Sequence, residues 1–279
     1  MNDNPKTLGL IAGEGRLPFM VAAGAKKAGL RVVCVGLAGS VDERLANEVD
    51  VFKKAALARP GAWIRKLKKQ GVTDTIMVGR VAKGKIFTPF RIIRYLPDWR
   101  SIRIWYWRLR GKNKQNETML NALAEELASG GIILEDSTKY CKDKMAEVGV
   151  MTSKEPPNSI REDIEFGWEI VKKLAELDIG QAIAVREKEV LSVEGIEGTA
   201  NMIKRTGQFC KKGGWTLIKV SKYNQDMRFD VPCIGVDTIK EVAENGGKHI
   251  VIEAGKTFMI DKEETIKLAD KLGITITGR

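Results

Sequence analysis

Histidine is almost missing from this chain: His249 is the one among 279 residues. Any mechanism that passes a proton through imidazole would rest on that side chain alone. Its short apolar setting, KHIVIE, reads as structural, so Ser-His-Asp and Cys-His chemistry are discounted. Cysteine is sparse too. Cys34, Cys141, Cys210 and Cys233 are scattered with no CxxC pair, which argues against zinc and for reduced cytoplasmic thiols. No stretch approaches the ~18 uninterrupted apolar residues of a spanning helix. The start, MNDNPKTLGLIAG, lacks a basic head followed by a long apolar run, so no signal peptide is expected. Low-complexity sequence is also lacking. With 43% hydrophobic residues and 28 glycines the composition is globular, and the length exceeds one ordinary core, which predicts two domains.

Acidic residues are what one segment lacks. From Arg80 to Lys114 there are eleven basic residues and a single acid, Asp98, so this window carries nearly all of the chain's formal +11. Phe87, Phe90, Tyr95, Trp99, Trp105, Tyr106 and Trp107 lie in the same window. Helical phasing of RSIRIWYWRLRGK puts Ile102, Trp105, Tyr106 and Leu109 on one stripe, flanked by Arg103 and Arg110. A basic amphipathic segment rich in tryptophan suits the interface of an anionic membrane. Packing in an oligomer and a nucleic-acid surface are the rival uses.

What is present along the first half is alternation. TLGLIAG, RVVCVGL, DTIMVGR and IILEDS read as strands; LPFMVAAGAKKAG, GAWIRKLKKQG and NETMLNALAEELASGG read as helices. Strands alternating with helices predict a mainly parallel, covered sheet, an α/β domain, over 1–137. The boundary falls in KYCKDKMAEVGVMTSKEPPNS, where Pro156-Pro157 breaks the chain. A capping box, Ser159-x-x-Glu162, is expected to open a helix to about Leu177 with Ile164, Trp168, Val171 and Ala175 on one face. QAIAV and VLSVE pair as a hairpin across REKE; WTLIKV, HIVIEA and TFMID add strands and EETIKLADKLG a last helix. The second half, 138–279, is therefore predicted to be α+β or mixed.

Three motifs carry possible chemistry. Gly13-Glu14-Gly15 sits at the first strand-to-helix turn, but the third glycine of a dinucleotide fingerprint would fall at Pro18, and no acid follows the second strand. An anion-binding glycine turn and a purely steric one both remain open. Glu194-Gly-Ile-Glu197-Gly-Thr199 has two carboxylates among glycines, either ligands for a hard cation or a polar hairpin end. In KYNQDMRFDVP (222–232), Asp226, Arg228 and Asp230 alternate, so an extended chain would point them to one side, with Lys219 and Lys222 just upstream. That set suits a phosphate ester or anhydride; a salt-bridged surface strand is the alternative.

These motifs together are similar to a known family. GLIAGEGRLP, DIGQA (178–182), VEGIEGT (193–199), KxxKxxQDxRFDxPxIG (219–235) and IEAGKT (252–257) resemble the LpxI-type UDP-2,3-diacylglucosamine pyrophosphatases nearly end to end. The resemblance implies a Rossmann-like N-terminal domain and a C-terminal domain of unusual fold with substrate between them. The implied reaction belongs to lipid A synthesis in Gram-negative bacteria. It is Mg²⁺-dependent attack of water on the α-phosphorus of UDP-diacylglucosamine, releasing UMP and lipid X (2,3-diacylglucosamine 1-phosphate). It further implies that Asp226 binds metal or orients water, with Arg228, Lys219 and Asp230 around the diphosphate. Glu197 and Thr199 match the EGTD loop as metal and phosphate contacts. Gly13, Gly15, Arg16 and Leu17 match the turn where UDP lies, Asp178 and Gln181 the DIGQ segment, and Lys222 and Gln225 the remaining substrate contacts.

Two departures from the family pattern stand out. Ala200 stands where EGTD has its aspartate, which keeps alive a reading as a non-catalytic binder of the same lipid. Tyr223-Asn224 replaces Pro-Gly, and asparagine tolerates the positive φ such a turn asks for. The expected partners are the UDP-diacylglucosamine lipid, the inner-membrane surface through Arg80–Lys114, and a second copy of the chain in a homodimer. Nucleic acid is not expected. The expected location is cytoplasmic and peripheral on the inner membrane.

Overall fold

The computed structural model describes residues 5–80, 97–110, 116–222 and 225–279. They form two compact units, Met1–Cys141 with Met227–Asp230, and Lys142–Asp226 with Val231–Arg279.

The first unit is a five-stranded parallel sheet of order β3-β2-β1-β4-β5, Rossmann-like, built from β1 Thr7–Ala12, β2 Arg31–Leu37, β3 Val51–Ala55, β4 Asp74–Val78 and β5 Ile133–Leu134. The central strands read as unbroken apolar runs because helices cover both faces. Covering helices are α1 Leu17–Lys27, α2 Pro60–Lys68 and α4 Asn116–Ser129. β3, VFKKA, is not evident from apolar patterning: it is an edge strand whose exposed Lys53 and Lys54 guard the open side. Between α2 and α4 a short helix, α3 Trp99–Arg103, runs into a π-helical turn, Ile104–Arg108. Asp98, the one acid of the basic window, accepts Ser101 N–H at the start of α3 (3.0 Å) and Gly61 N–H in the first turn of α2 (2.8 Å).

The second unit is a six-stranded mixed sheet, β6-β13-β11-β9-β7-β8, of β6 Gly149–Val150, β7 Ala182–Arg186, β8 Glu189–Val193, β9 Trp215–Lys219, β11 Gly247–Ile252 and β13 Thr275–Gly278. Helix α5 (Asn158–Glu176) covers one face, packing Ile160, Ile164, Val171 and Ala175 against Ile183, Ile218 and Val251. The other face carries α6 (Thr199–Phe209), α7 (Val236–Glu244) and α8 (Lys262–Leu272), with Met202, Ile203, Ile239, Val242 and Ala269 on Leu217, Ile250 and Ile252. A small parallel pair joins β10 Cys233–Ile234 to β12 Phe258–Met259.

The α/β class with a mixed second sheet is as the sequence indicates, but three local expectations fail. The capping box is absent: α5 begins at Asn158 after Pro157, no side chain caps it, and Glu162 pairs instead with Lys188 (2.6 Å). Residues 227–229 form a turn, so Asp226, Arg228 and Asp230 do not alternate along a strand. The amphipathic stripe also misses its face. Ile104 and Leu109 are buried while Trp105 and Tyr106 are exposed, because the π-helical turn adds a residue to the repeat. The rest of the Arg80–Lys114 expectation, at 81–96 and 111–115, lies outside the described residues. No helix among the described residues is long and apolar enough to cross a membrane.

Candidate functional site

In the first unit the glycine turn lies at the carboxyl ends of β1 and β4, where the chain switches sides of the sheet, the usual ligand position in such folds. The Gly13 N–H is spent on Val78 O (2.8 Å), and Glu14 exchanges two backbone bonds with Arg80. A Cβ on Gly13 would stand 2.6 Å from the Arg80 carbonyl. Glycine there serves backbone approach, and the anion-binding reading retreats to Gly15, Arg16 and Leu17. Gly15 has φ +112° with open space on its Cβ side. Arg16 lies over the Phe19 ring (5.8 Å), and no side chain caps α1.

The Met227–Asp230 turn clusters with this unit. Ser137 donates to the Met227 carbonyl from both N–H (3.0 Å) and Oγ (2.6 Å), and Phe229 packs on the core around Ile11, Trp63 and Leu127. These anchors hold the segment in its turn. Arg228 donates to Asn121 Oδ1 (3.1 Å), lies over Phe229 (5.0 Å), and walls an open depression of about 550 Å³ along α4 with Asn121, Ala124 and Ala128. Asp230 is exposed.

The second unit brings several polar groups to one edge of its sheet. β9 and β11 are parallel and β7 is antiparallel to β9, so Lys219, Glu253, Gln181 and Glu194 fall at the same end. α6 starts there behind Gly198, whose φ of +80° favours glycine. Lys219 is 7% exposed. Its Nζ donates to Thr199 Oγ1 (3.2 Å) and the Cys233 carbonyl (3.0 Å), and no carboxylate among the described residues comes within ion-pair distance. Thr199 Oγ1 in turn donates to Glu194 Oε1 (2.8 Å), while Gln181 N–H donates to Glu194 Oε2 (3.3 Å). Gln181 Oε1 is buried with no hydrogen-bond partner among the described residues. The arrangement is a buried ammonium held by neutral oxygens at an uncapped helix N-terminus, which favours an anion.

Beside it, Glu253 accepts from Ser221 N–H (2.8 Å), Ser221 Oγ (2.7 Å), Lys172 (3.1 Å) and Lys256 (2.9 Å). Burial pushes this carboxyl up, but the Lys256, Ser221 and Lys172 bonds outweigh it and hold it at about 2. Asp178, with φ +53°, pairs with Lys222 at 2.6 Å on the surface. Lys222 N–H donates to Gln225 Oε1 (2.8 Å), so Gln225 is partly occupied in holding its own loop. Asp226 is half-buried; Tyr223 and Asn224 lie outside the described residues.

Glu197 does not join this cluster. It is exposed and accepts from Arg205 (2.5 Å) and Gly195 N–H (3.1 Å). Its own backbone N–H, then Arg205 and Gly195, hold the carboxyl below the usual range. Among the described residues no group of three or more His, Cys, Asp or Glu side chains converges as a metal site. Magnesium commonly uses one or two carboxylates plus substrate phosphates, so such a cage is not required. Glu197, committed to Arg205, does not fit that role; Asp226 is the carboxylate the motif still offers. Ala200 is the second residue of α6.

Glu194 belongs to the two-carboxylate motif, where it holds Thr199 instead of a cation; Ser221 and Glu253 are not singled out as site residues by any sequence motif. The signal for Glu253 is an acid directly after an apolar strand, in HIVIE, at the end where the strands finish together.

Comparison with known proteins follows the same two-unit division. A sequence model of the LpxI N-terminal domain matches residues 7–144 and one of the LpxI C-terminal domain residues 147–277. UDP-2,3-diacylglucosamine pyrophosphatase LpxI of Caulobacter vibrioides is 27% identical over 282 residues, 98% of this chain and 97% of that protein. Bifunctional purine biosynthesis protein PurH of Bacillus subtilis is 28% identical over 147 residues, 53% of this chain and 26% of that protein. A crystal structure of a nucleoside-diphosphate-sugar epimerase from Pseudomonas aeruginosa spans 98% of this chain and 88% of that one, at 12% identity and a TM-score of 0.29, too low to carry an argument.

Proposed function

The chain belongs to the LpxI family, and on that premise we propose that it hydrolyses UDP-2,3-diacylglucosamine in lipid A synthesis. Water attacks the α-phosphorus, a new P–O bond forms, and the bridging P–O bond breaks. The uridine side leaves as UMP and the lipid side as 2,3-diacylglucosamine 1-phosphate, lipid X. The observation that carries the reading is Lys219, a buried side chain whose Nζ, among the described residues, has only neutral oxygen partners at the N-terminus of α6.

Phosphoanhydride hydrolysis is mostly positioning and charge neutralisation. Lys219 and the first N–H groups of α6 hold diphosphate oxygens as charge builds on them. Thr199 fixes the Lys219 ammonium, and Glu194 fixes Thr199. Asp226 orients the attacking water, and it is the carboxylate that would hold a Mg²⁺ ion, which would supply further neutralisation of phosphate charge. In the first unit Arg228 is a cation suited to a phosphate oxygen, with Asp230 in the same turn. Taken by itself, the glycine turn of the first unit offers the N–H groups of Gly15, Arg16 and Leu17 to a nucleotide phosphate; in the second unit, Gln181 offers its buried carbonyl oxygen to a substrate donor. Cytoplasmic work at the inner-membrane surface follows from a diacylated substrate.

The test is turnover of UDP-2,3-diacylglucosamine in ¹⁸O-enriched water. The proposal expects label in UMP, none in lipid X, and loss of turnover in Asp226→Asn and with a chelator. Label in lipid X would refute attack at the α-phosphorus. Tight binding of the intact lipid without turnover would favour the carrier reading that Ala200 raises.

A further inference from the structure

The segment 99–107 exposes four large aromatic rings within nine residues: Trp99 at 65%, Trp105 at 50%, Tyr106 at 66% and Trp107 at 60%. Soluble proteins rarely leave contiguous apolar area of this kind uncovered. The exposure has a local cause. Leu109 N–H bonds Ile104 O (3.0 Å), five residues back, and Ile104 and Leu109 are buried with Ala122 on α4. The wide turn between these two anchors pushes residues 105, 106 and 107 outward together. Trp107 reaches back to meet Trp99 edge-on, with centroids 5.6 Å apart.

The arginines of the segment face the other way. Glu126 on α4 is fully buried and accepts from Arg100 (2.6 Å), Arg103 (2.8 Å) and Arg108 (3.0 Å); Arg108 also binds Glu125 (2.7 Å). Ser129 Oγ receives Arg100 and Arg103 as well. Three of the four arginines at 97–110 are therefore braces that fasten the aromatic turn to the fold. Arg110 is exposed.

We infer that the exposed Trp99, Trp105, Tyr106 and Trp107 form a docking surface for an anionic lipid bilayer, with the rings, not the arginines of the segment, as the principal contact. Tryptophan and tyrosine pair an apolar body with a polar tip, which suits the headgroup boundary better than a dry protein interface. Charge selects the partner. The flanking sequence at 81–96 and 111–115 holds six basic residues and no acid, so an anionic surface is attracted to this part of the chain. A second copy carries the same formal +11 and is not attracted by charge. Nucleic acid would be met mainly by cations, and most of those in the described segment are already bound to carboxylates. The inference rests on this geometry and stands apart from the proposed reaction.

The experiment is binding of the full chain to vesicles of phosphatidylcholine and phosphatidylglycerol, compared with Trp105→Ser/Tyr106→Ser/Trp107→Ser. Because these side chains are exposed, the fold is expected to survive; brominated-lipid quenching of tryptophan in the unaltered protein gives a second reading. The expected results are quenching, and partitioning weakened roughly tenfold or more in the triple variant. Half-molar salt should remove only part of the unaltered protein's binding. Equal vesicle binding by the variant, binding abolished by salt alone, or a changed oligomeric state with unchanged vesicle binding would each overturn it. Release of UMP from detergent-dispersed substrate should be unchanged in the variant, so failure of docking and failure of the catalytic proposal are read separately.

Discussion

Glu126→Gln is the perturbation whose effect is best fixed by the geometry. The substitution keeps the shape but removes the charge on which Arg100, Arg103 and Arg108 converge at 2.6–3.0 Å. Removing one partner of a buried ion pair costs about 3–5 kcal/mol when the other stays buried. Here the three arginines are 23–39% exposed, so water recovers part of that, and the expected loss is about 2–3 kcal/mol. In scanning calorimetry, which separates units that unfold independently, the first unit's transition should fall by about 5–10 °C. Acid should erase the difference. Burial raises the Glu126 carboxyl, but bonds from Arg108, Arg103 and Arg100 overcome it and hold it below 4.5. A lowered carboxyl stabilises above its unfolded value, and that contribution is lost as pH falls below about 4.5. A shift under about 2 °C at neutral pH would refute the reasoning that this carboxylate fastens the aromatic turn.

Gly13→Ala puts a methyl 2.6 Å from the Arg80 carbonyl, and denaturant titration should show a loss of about 1–3 kcal/mol. Asp163 is buried and accepts Glu187 N–H (3.1 Å) and Lys188 N–H (2.6 Å) in a hairpin turn whose residues have φ +53° and +57°. Asp163→Ala should cost about 2–3 kcal/mol, and near-neutral stability would show that the turn holds itself. Burial pushes His249 down to about 4 from 6.5. A depressed histidine stabilises above its unfolded value, so stability should decline from pH 6.5 toward 4, and His249→Gln should flatten that slope. Glu253, held at about 2, adds a second decline below pH 4.5 that His249→Gln leaves in place.

Legibility followed how local the determining physics is. β1, β2 and β4 are read from apolar runs because buried parallel strands tolerate little else, and the β7–β8 hairpin from its length. β3 was hidden by its two edge lysines, and α6 and α7 by lying among glycines and polar residues whose partners are distant. The QDMRFD turn was misread because alternation in sequence cannot reveal that Ser137 and Phe229 pin the chain. The motifs named Lys219, Thr199 and Gln181, which the fold gathers around Glu194. They could not show that Glu197 turns to Arg205, nor that three arginines of a basic window are spent on Glu126, because both depend on helices packed elsewhere in the chain.

Lys219→Met tests the central claim most directly, since it removes a buried charge while keeping the length of the side chain. If Lys219 is there to neutralise a diphosphate, UMP release should drop by about 10²–10³-fold. Stability should hold or rise, because an ammonium 7% exposed and, among the described residues, without a carboxylate partner burdens the fold. Turnover within about twofold of the unaltered chain, accompanied by a loss of stability, would contradict the account and make Lys219 a structural residue.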